Sequence, residues 1–305
     1  MYILKMEDDI NKIYLKLKNT HSGKNADYIP ELKKVNPKLY AISIYTIDGH
    51  VYNIGDYTTE FAIESCSKVF TLALALEKFG IPFLKSKIGN EKTLIKFNSI
   101  NEIINNKIHT INSFNNGGAM ATTSLFHEKN NKKYEKKIID NMSEFAGRKL
   151  HIDNKIYLSE INNSEHNLAI AYVLKSYNMF YGDVLQTVDV YTRQCSVMVT
   201  TEDLALMAAT IANKGINPKT KQKVIDKKNI PYLLKHMEDH GLYEESDIVM
   251  DHIGFPAKSG VSGAILAVIP GVMGIGIFSP PLNKHGNSSK GIKTLKLLKN
   301  VFSRY

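Results

Sequence analysis

The sequence predicts a mixed α/β (α+β) fold: an antiparallel sheet built by the two ends of the chain and flanked by helices, with an all-helical lobe inserted between them. Three observations carry this. Strand-like runs occur at 39–45 and 51–54, helical patterns fill the middle of the chain from Ser65 onward, and strands return near 255–278 ahead of a closing helix. That order implies one sheet shared by both chain ends. The expected division is a sheet domain of residues 1–62 and 214–305 around an inserted helical domain of residues 63–213.

Each element has its own signal. Ile10, Ile13, Tyr14 and Leu17 recur at helical spacing and predict an opening helix over 7–18. Leu39-Tyr40-Ala41-Ile42-Ser43-Ile44-Tyr45 alternates like a strand, Asp48-Gly49 is a hairpin turn signal, and Val51-Tyr52-Asn53-Ile54 returns. Beyond Ser65 the apolar residues Val69, Leu72, Leu74, Ala75 and Leu76 lead to a stop at Gly80-Ile81-Pro82. Further helical patterns cover 120–127, 132–146, 165–177, 183–191 and 201–213, the last with Thr200 or Thr201 as its N-cap. From Ser259 to Asn283 no residue is charged, a length that suggests a membrane span. Pro270-Gly271 divides that run, however, and Gly260, Gly263, Gly274 and Gly276 punctuate it. Its halves read as two adjacent buried antiparallel strands joined by a Pro-Gly turn. Ile292 to Phe302 looks like a closing amphipathic helix.

Composition removes several function classes. With 305 residues, 43% hydrophobic and 23% charged, the chain can bury a substantial core and is not disordered. Two cysteines cannot make a disulfide scaffold and favour a reducing compartment. The start, Met1 to Asp9, places acids where an export signal needs basic and then apolar residues, so a cytoplasmic enzyme is expected. A net charge of +9 invites a nucleic-acid reading. Only Arg148, Arg193 and Arg304 are arginines, the residue type that bidentate phosphate and base recognition favours. The run Lys132-Lys133 and Lys136-Lys137 reads as a solvated helix face.

Ser65-Cys66-Ser67-Lys68 is a Ser-x-x-Lys at a predicted helix start. Residues i and i+3 share a helical face, so Lys68 can reach Ser65 and act as its base if burial lowers the amine's pKa. The helix N-terminus adds N–H groups useful against an oxyanion. Alone such a pattern arises by chance and needs partners. One lies at Lys258-Ser259-Gly260, just before the uncharged hairpin. In penicillin-binding and β-lactamase enzymes a Lys-Thr/Ser-Gly triplet sits on an edge strand beside the Ser-x-x-Lys helix. Rival signals are weaker. His236-Met237-Glu238-Asp239-His240 spaces two histidines for zinc but misses H-E-x-x-H and lacks an obvious third ligand. Neither Cys66 nor Cys195 sits in a Cys-His-Asn pattern, and Gly271 to Gly276 reads as strand rather than a phosphate loop.

Beyond these motifs, an ordered series of segments resembles the bacterial serine-dependent glutaminases. It includes Ala26-Asp27-Tyr28-Ile29-Pro30, Val35-Asn36-Pro37, Thr46-Ile47-Asp48-Gly49, Ser67-Lys68-Val69-Phe70, Asn116 to Thr122 and Arg193-Gln194-Cys195-Ser196. Gly254 to Val261, Phe278-Ser279-Pro280-Pro281-Leu282 and Gly286-Asn287-Ser288 complete it. The resemblance implies a β-lactamase/transpeptidase-like fold that hydrolyses L-glutamine to L-glutamate and ammonia, without metal or organic cofactor, as a homodimer or homotetramer. By the same resemblance Ser65 is the nucleophile, Lys68 the base and Tyr191 the proton relay. Asn116, Asn167 and Tyr243 then contact the substrate carboxylate and Glu160 its ammonium. Lys258 lines the pocket, and Val261 offers its backbone N–H to the scissile carbonyl. Gly117, His166 and Glu238-Asp239-His240 depart from the family pattern beside these positions. The alternatives are a hydrolase of the same fold acting on a β-lactam or D-alanyl peptide, and a basic nucleic-acid-binding protein.

Overall fold

A computed structural model describes residues 2–92, 99–100 and 108–303. Helix α1 (Tyr2–Leu17) and the short α2 (Pro30–Lys33) precede the hairpin β1 (Ala41–Thr46) and β2 (Val51–Gly55). Gly49 turns that hairpin at φ +98°, a conformation few side chains tolerate, which is why Asp48-Gly49 works as its signal. Next come β3 (Phe61–Ala62), a 3-10 turn (Glu64–Cys66) and α3 (Ser67–Phe79). The helices α4 (Ile81–Lys87), α5 (Asn116–Ser124), α6 (Asn131–Ala146), α7 (Asn154–Ile161), α8 (Glu165–Ser176), α9 (Val184–Cys195) and α10 (Thr201–Ala212) form the middle of the chain. Strands β4 (His151–Ile152) and β5 (Val197–Val199) lie among them. The last part runs α11 (Ile230–His240), α12 (Ser246–Ile253), β6 (Ala257–Ser259), β7 (Ala264–Ile269), β8 (Met273–Phe278) and α13 (Ser289–Phe302).

Five strands make one antiparallel sheet in the order β2-β1-β8-β7-β6, so the two chain ends do meet, with β8 between β1 and β7. The uncharged stretch is the hairpin β7–β8, with Ile269 opposite Met273 across the Pro270-Gly271 turn. Among the described residues no helix is long and apolar enough to cross a membrane. A smaller antiparallel sheet, β3-β5-β4, joins the start of the Ser65 segment to the helical part.

Strand alternation assigns the large sheet two apolar faces. Ile42, Ile44, Ile265, Ala267, Ile275 and Ile277 pack with α1 and α13, where Ile10, Ile13, Leu295 and Leu298 are buried. The other face carries α10, and here glycine decides the distance. A Cβ on Gly274 would lie 2.2 Å from the Ala205 carbonyl oxygen, and one on Gly276 would lie 2.1 Å from that of Thr201. Ser43, opposite Gly276 in β1, closes the contact by hydrogen bonding Thr201, hydroxyl to hydroxyl, at 2.7 Å. Sequence reading groups α10 with the inserted helices; in space it lies flat on the sheet.

Three local expectations change. The stop at Gly80-Ile81-Pro82 is a break rather than an end, because Gly80 at φ +79° caps α3 and α4 starts at Ile81 with Pro82 in its first turn. The helix expected over 120–127 starts earlier, at Asn116, and ends at Ser124. Two glycines conceal that start: a Cβ on Gly118 would lie 1.8 Å from the Asn112 carbonyl oxygen, so close packing, not helix propensity, selects glycine there. Ser65 itself lies in the 3-10 turn ahead of α3, not in the α-helix.

Candidate active site

The Ser65 turn is clamped between the edge strand β6 and the inserted helices. Ile63 N–H donates to the Val197 carbonyl at 2.8 Å, which ties the approach of the turn to β5. Glu64 then adopts φ +51°, an unusual value for a residue with a side chain, and aims the next residue into the cleft. On the other side Gly260 comes so near that a Cβ there would be 2.9 Å from the Ile63 carbonyl oxygen and 3.4 Å from Ser65 N. Lys258 and Ser259 lie on β6, the edge strand, as the Lys-Ser-Gly triplet predicts. Val261 follows, buried, and its N–H donates to no described backbone carbonyl.

Lys68, in the first turn of α3, is 1% exposed. Its Nζ donates to the Phe114 carbonyl at 2.9 Å and to Asn116 Oδ1 at 2.8 Å. Burial drives its pKa down to about 8, although the neighbouring Cys195, Glu64 and Cys66 oppose that shift. The direct Ser65–Lys68 hydrogen bond that the i, i+3 spacing predicts is not among the described bonds; the Ser65 hydroxyl is bonded instead to that of Tyr243. Tyr243, at φ +55°, also donates to the Ser259 carbonyl at 3.4 Å. Its ring lies 4.4 Å from Lys258 Nζ. The Lys258 amine donates to the carbonyls of Gly241 at 3.1 Å and Ser259 at 2.7 Å, and burial lowers its pKa to about 7.

The opposite wall comes from the helices. Asn116, the first residue of α5, accepts from Lys68 through Oδ1 and donates through Nδ2 to Asn167 Oδ1 at 3.1 Å. The buried Tyr191 hydroxyl on α9 reaches the same Asn116 oxygen at 3.5 Å. Glu160, on α7, accepts from Ser196 Oγ at 3.4 Å, and burial raises its carboxyl to about 7. Thus Lys68, Asn116, Asn167 and Tyr191 form one hydrogen-bonded group, Ser65 joins Tyr243 beside it, and Lys258, Val261 and Glu160 lie at the edges.

Two residues at this site escaped the sequence reading. Glu64, 3% exposed, is hydrogen-bonded to Glu160, and burial holds its carboxyl well above the usual range. The available signal was an acid directly before the serine in the otherwise apolar run Phe61-Ala62-Ile63. Tyr28 is the other. More than half of it is open to solvent, yet its phenol end is desolvated and, with Glu64, Tyr243 and Glu160 nearby, stays protonated far above its ordinary pKa. Among the described residues Glu64, Glu160 and Cys195 place donor atoms within 4.8 Å of one another. Burial pushes both acids and the Cys195 thiol toward their protonated forms. The His236–His240 pair on α11 is separate: His236 Nε2 already accepts from Ser113 N at 3.2 Å.

A family model for glutaminase matches residues 23–304. The chain belongs to the glutaminase family. It is 43% identical over 298 residues to a glutaminase of Colwellia psychrerythraea, covering 96% of both chains. With a glutaminase of Escherichia coli O81 it shares 42% over 289 residues, covering 95% of this chain and 93% of that one. Among solved structures, the probable glutaminase ybaS superposes with a TM-score of 0.95 at 40% identity, over 98% of this chain and 97% of that chain. Mglu in its native form gives 0.92 at 32% identity, over 97% of this chain and 72% of that chain. The glutaminase fold is β-lactamase-like, as the sheet, edge strand and serine turn described above require. The glutaminase reaction, hydrolysis of glutamine to glutamate and ammonia, is therefore this chain's activity.

Proposed function

We propose that the enzyme hydrolyses L-glutamine through a γ-glutamyl ester on Ser65, with Lys68 as the base. The observation that carries this reading is the pair of acceptors around Lys68 Nζ. A neutral amine has two N–H groups and one lone pair. The Phe114 carbonyl and Asn116 Oδ1 engage both N–H groups, which leaves the lone pair for the proton of the serine one turn away. Burial supports the neutral form near physiological pH.

In the proposed path Lys68 takes the Ser65 proton as Oγ bonds to the amide carbon. Negative charge collects on the former carbonyl oxygen, facing the N–H groups of Ser65 and Val261. The C–N bond breaks as the leaving nitrogen gains a proton, relayed through Tyr191, and ammonia departs. Water then attacks the ester, returns the proton to Ser65 and releases glutamate. Glu160 would pair with the substrate ammonium, while Asn116, Asn167 and Tyr243 turn toward its carboxylate without adding net charge. Tyr243 would exchange its bond to Ser65 for one to substrate, with Lys258 fixed beneath its ring. The sheet unit and the inserted helices would supply opposite walls. We further propose a homodimer or homotetramer in the cytoplasm; the two buried free cysteines are compatible with that reducing compartment.

The test is ammonia release from glutamine, asparagine and a chromogenic β-lactam side by side, with mass spectrometry of quenched enzyme. The reading requires turnover of glutamine and a γ-glutamyl adduct on the peptide carrying Ser65. Turnover of the β-lactam alone would refute it.

A further inference from the structure

Glu64 is a buried acid that the proposed reaction leaves without a task. It is fixed at φ +51° immediately before Ser65, only 3% exposed, and its Oε1 is buried without a hydrogen-bond partner. The carboxyl nonetheless bonds to Glu160 and lies, with Glu160 and Cys195, in a group of donor atoms all within 4.8 Å. Two carboxyl groups this close and this desolvated cannot both ionise, so in the empty pocket they hold one proton between them. Burial is the leading cause for each, and each carboxyl is raised above its ordinary range.

The surroundings agree. Lys68 from α3 is the cation that acts on Glu64, and it favours ionisation only weakly because burial has lowered its own pKa. The remaining titratable groups facing the pair are Tyr28, Tyr191, Tyr243, Cys66 and Cys195, all held neutral by burial. Ser196 Oγ supplies a single neutral donor to Glu160. No described cation is fixed on the unpartnered oxygen of Glu64.

We infer that Glu64 and Glu160 form a one-proton carboxyl pair that reads the substrate's α-ammonium and releases its proton to solvent when that ammonium binds. The inference rests on the assignment of Glu160 to the ammonium and deepens it. The balance is simple: the pair goes from one negative charge to two, the ammonium adds one positive charge, and the O–H proton leaves as substrate N–H groups take its place. An ammonium carries enough N–H donors to serve Glu160 and the orphaned Glu64 oxygen together. Net charge in the pocket is unchanged on binding, minus one before and after. A neutral or acylated α-nitrogen brings no charge with which to displace the proton. Affinity for glutamine therefore falls with acid, as the proton on the pair becomes harder to displace.

The experiment is titration calorimetry of Ser65→Ala with L-glutamine in two buffers of different ionisation enthalpy, at about pH 6 and about pH 8, where the ligand's α-amino group is still mostly protonated. Proton linkage predicts release of roughly one proton per site at the lower pH and almost none at the higher. Glu64→Gln in the same background should abolish the release. Glutamine binding without release at about pH 6, or release that persists in Glu64→Gln, overturns the inference while leaving the glutaminase reading intact. Failure of Ser65→Ala to bind glutamine at all removes the underlying reading and the inference with it. Because Glu64→Gln could fail to fold, difference infrared spectroscopy of the unsubstituted enzyme with L-glutamate gives an independent measure. The carbonyl stretch of a protonated carboxylic acid should disappear on binding, and its persistence overturns the inference.

Discussion

The amine of Lys68 rests on the carbonyl oxygen of Phe114, 2.9 Å away. The segment presenting that carbonyl is itself held from behind. Asn112 Oδ1 accepts from the N–H groups of Phe114 and Asn115, and His236 accepts from that of Ser113. The Phe114 ring meets His236 edge-on, with centroids 4.8 Å apart. A flexible lysine is thereby given a fixed position by backbone rather than by another charge, which keeps its neutral form accessible.

Acid should therefore switch the enzyme off through Lys68. Only the neutral amine accepts the Ser65 proton, so kcat/KM should rise with pH and level off above about 8. Lys68→Arg should lose the activity, because guanidinium stays charged. A pH–rate profile of the parent enzyme and a single-point assay of the variant check both statements. Near-normal kcat in Lys68→Arg would rule out the base.

Ser65→Ala should abolish turnover while glutamine binding largely survives, since the change removes one hydroxyl and its bond to Tyr243. Calorimetric binding and ammonia release separate the two effects. Retention of more than about one per cent of kcat would exclude an acyl-enzyme on this serine, given the losses nucleophile removal usually causes.

Gly276→Ala should destabilise the fold without altering the chemistry of the folded molecules. Its Cβ would lie 2.1 Å from the Thr201 carbonyl oxygen, which forces α10 off the sheet. Overpacking of this kind costs about 1–3 kcal/mol. A lower denaturant midpoint with an unchanged slope is expected. An unshifted midpoint would mean that the helix moves freely on the sheet.

His240 should make stability fall with acid. Burial lowers its pKa from 6.5 to about 4, so the unfolded chain binds the proton more readily between those values. Its contribution is complete above pH 6.5 and is lost as pH drops toward 4, amounting to about 3 kcal/mol over that window. His240→Gln should flatten that part of the stability profile, measured by denaturant titrations at several pH values. A parallel profile would show that His240 does not titrate there.

Much of the fold is legible in the amino-acid pattern because its cues are local. Asp48-Gly49 and Pro270-Gly271 mark their hairpins, alternation marks the strand at 39–45, and uncharged apolar runs of strand length mark those within 264–278. The small sheet is not legible, since β3 and β4 have two residues each and no period can show in two positions. Helix α7 is missed for a related reason, having no fully buried residue to define an apolar stripe. At the site, Ser65 and Lys68 announce themselves by spacing, whereas Asn116, Glu160, Asn167, Tyr191 and Tyr243 emerge only through likeness to a family. Glu64 stays hidden because its meaning depends on Glu160, which lies on another helix and becomes its neighbour only after folding.

The strand order has a consequence for how the enzyme is made. Ala41 in β1 pairs with Phe278 in β8, and β8 is the strand on which both β1 and β7 depend. During synthesis the N-terminal hairpin and all the inserted helices leave the ribosome with the centre of their sheet still missing. Until β8 arrives, the apolar faces of β1 and α10 must wait uncovered, and the Ser65 turn has no Gly260 against which to seat. Such long-range closure is slow compared with helix formation. Translation pauses late in the message, or a chaperone that shields β1, should therefore govern the yield of active enzyme more than any change among the early helices.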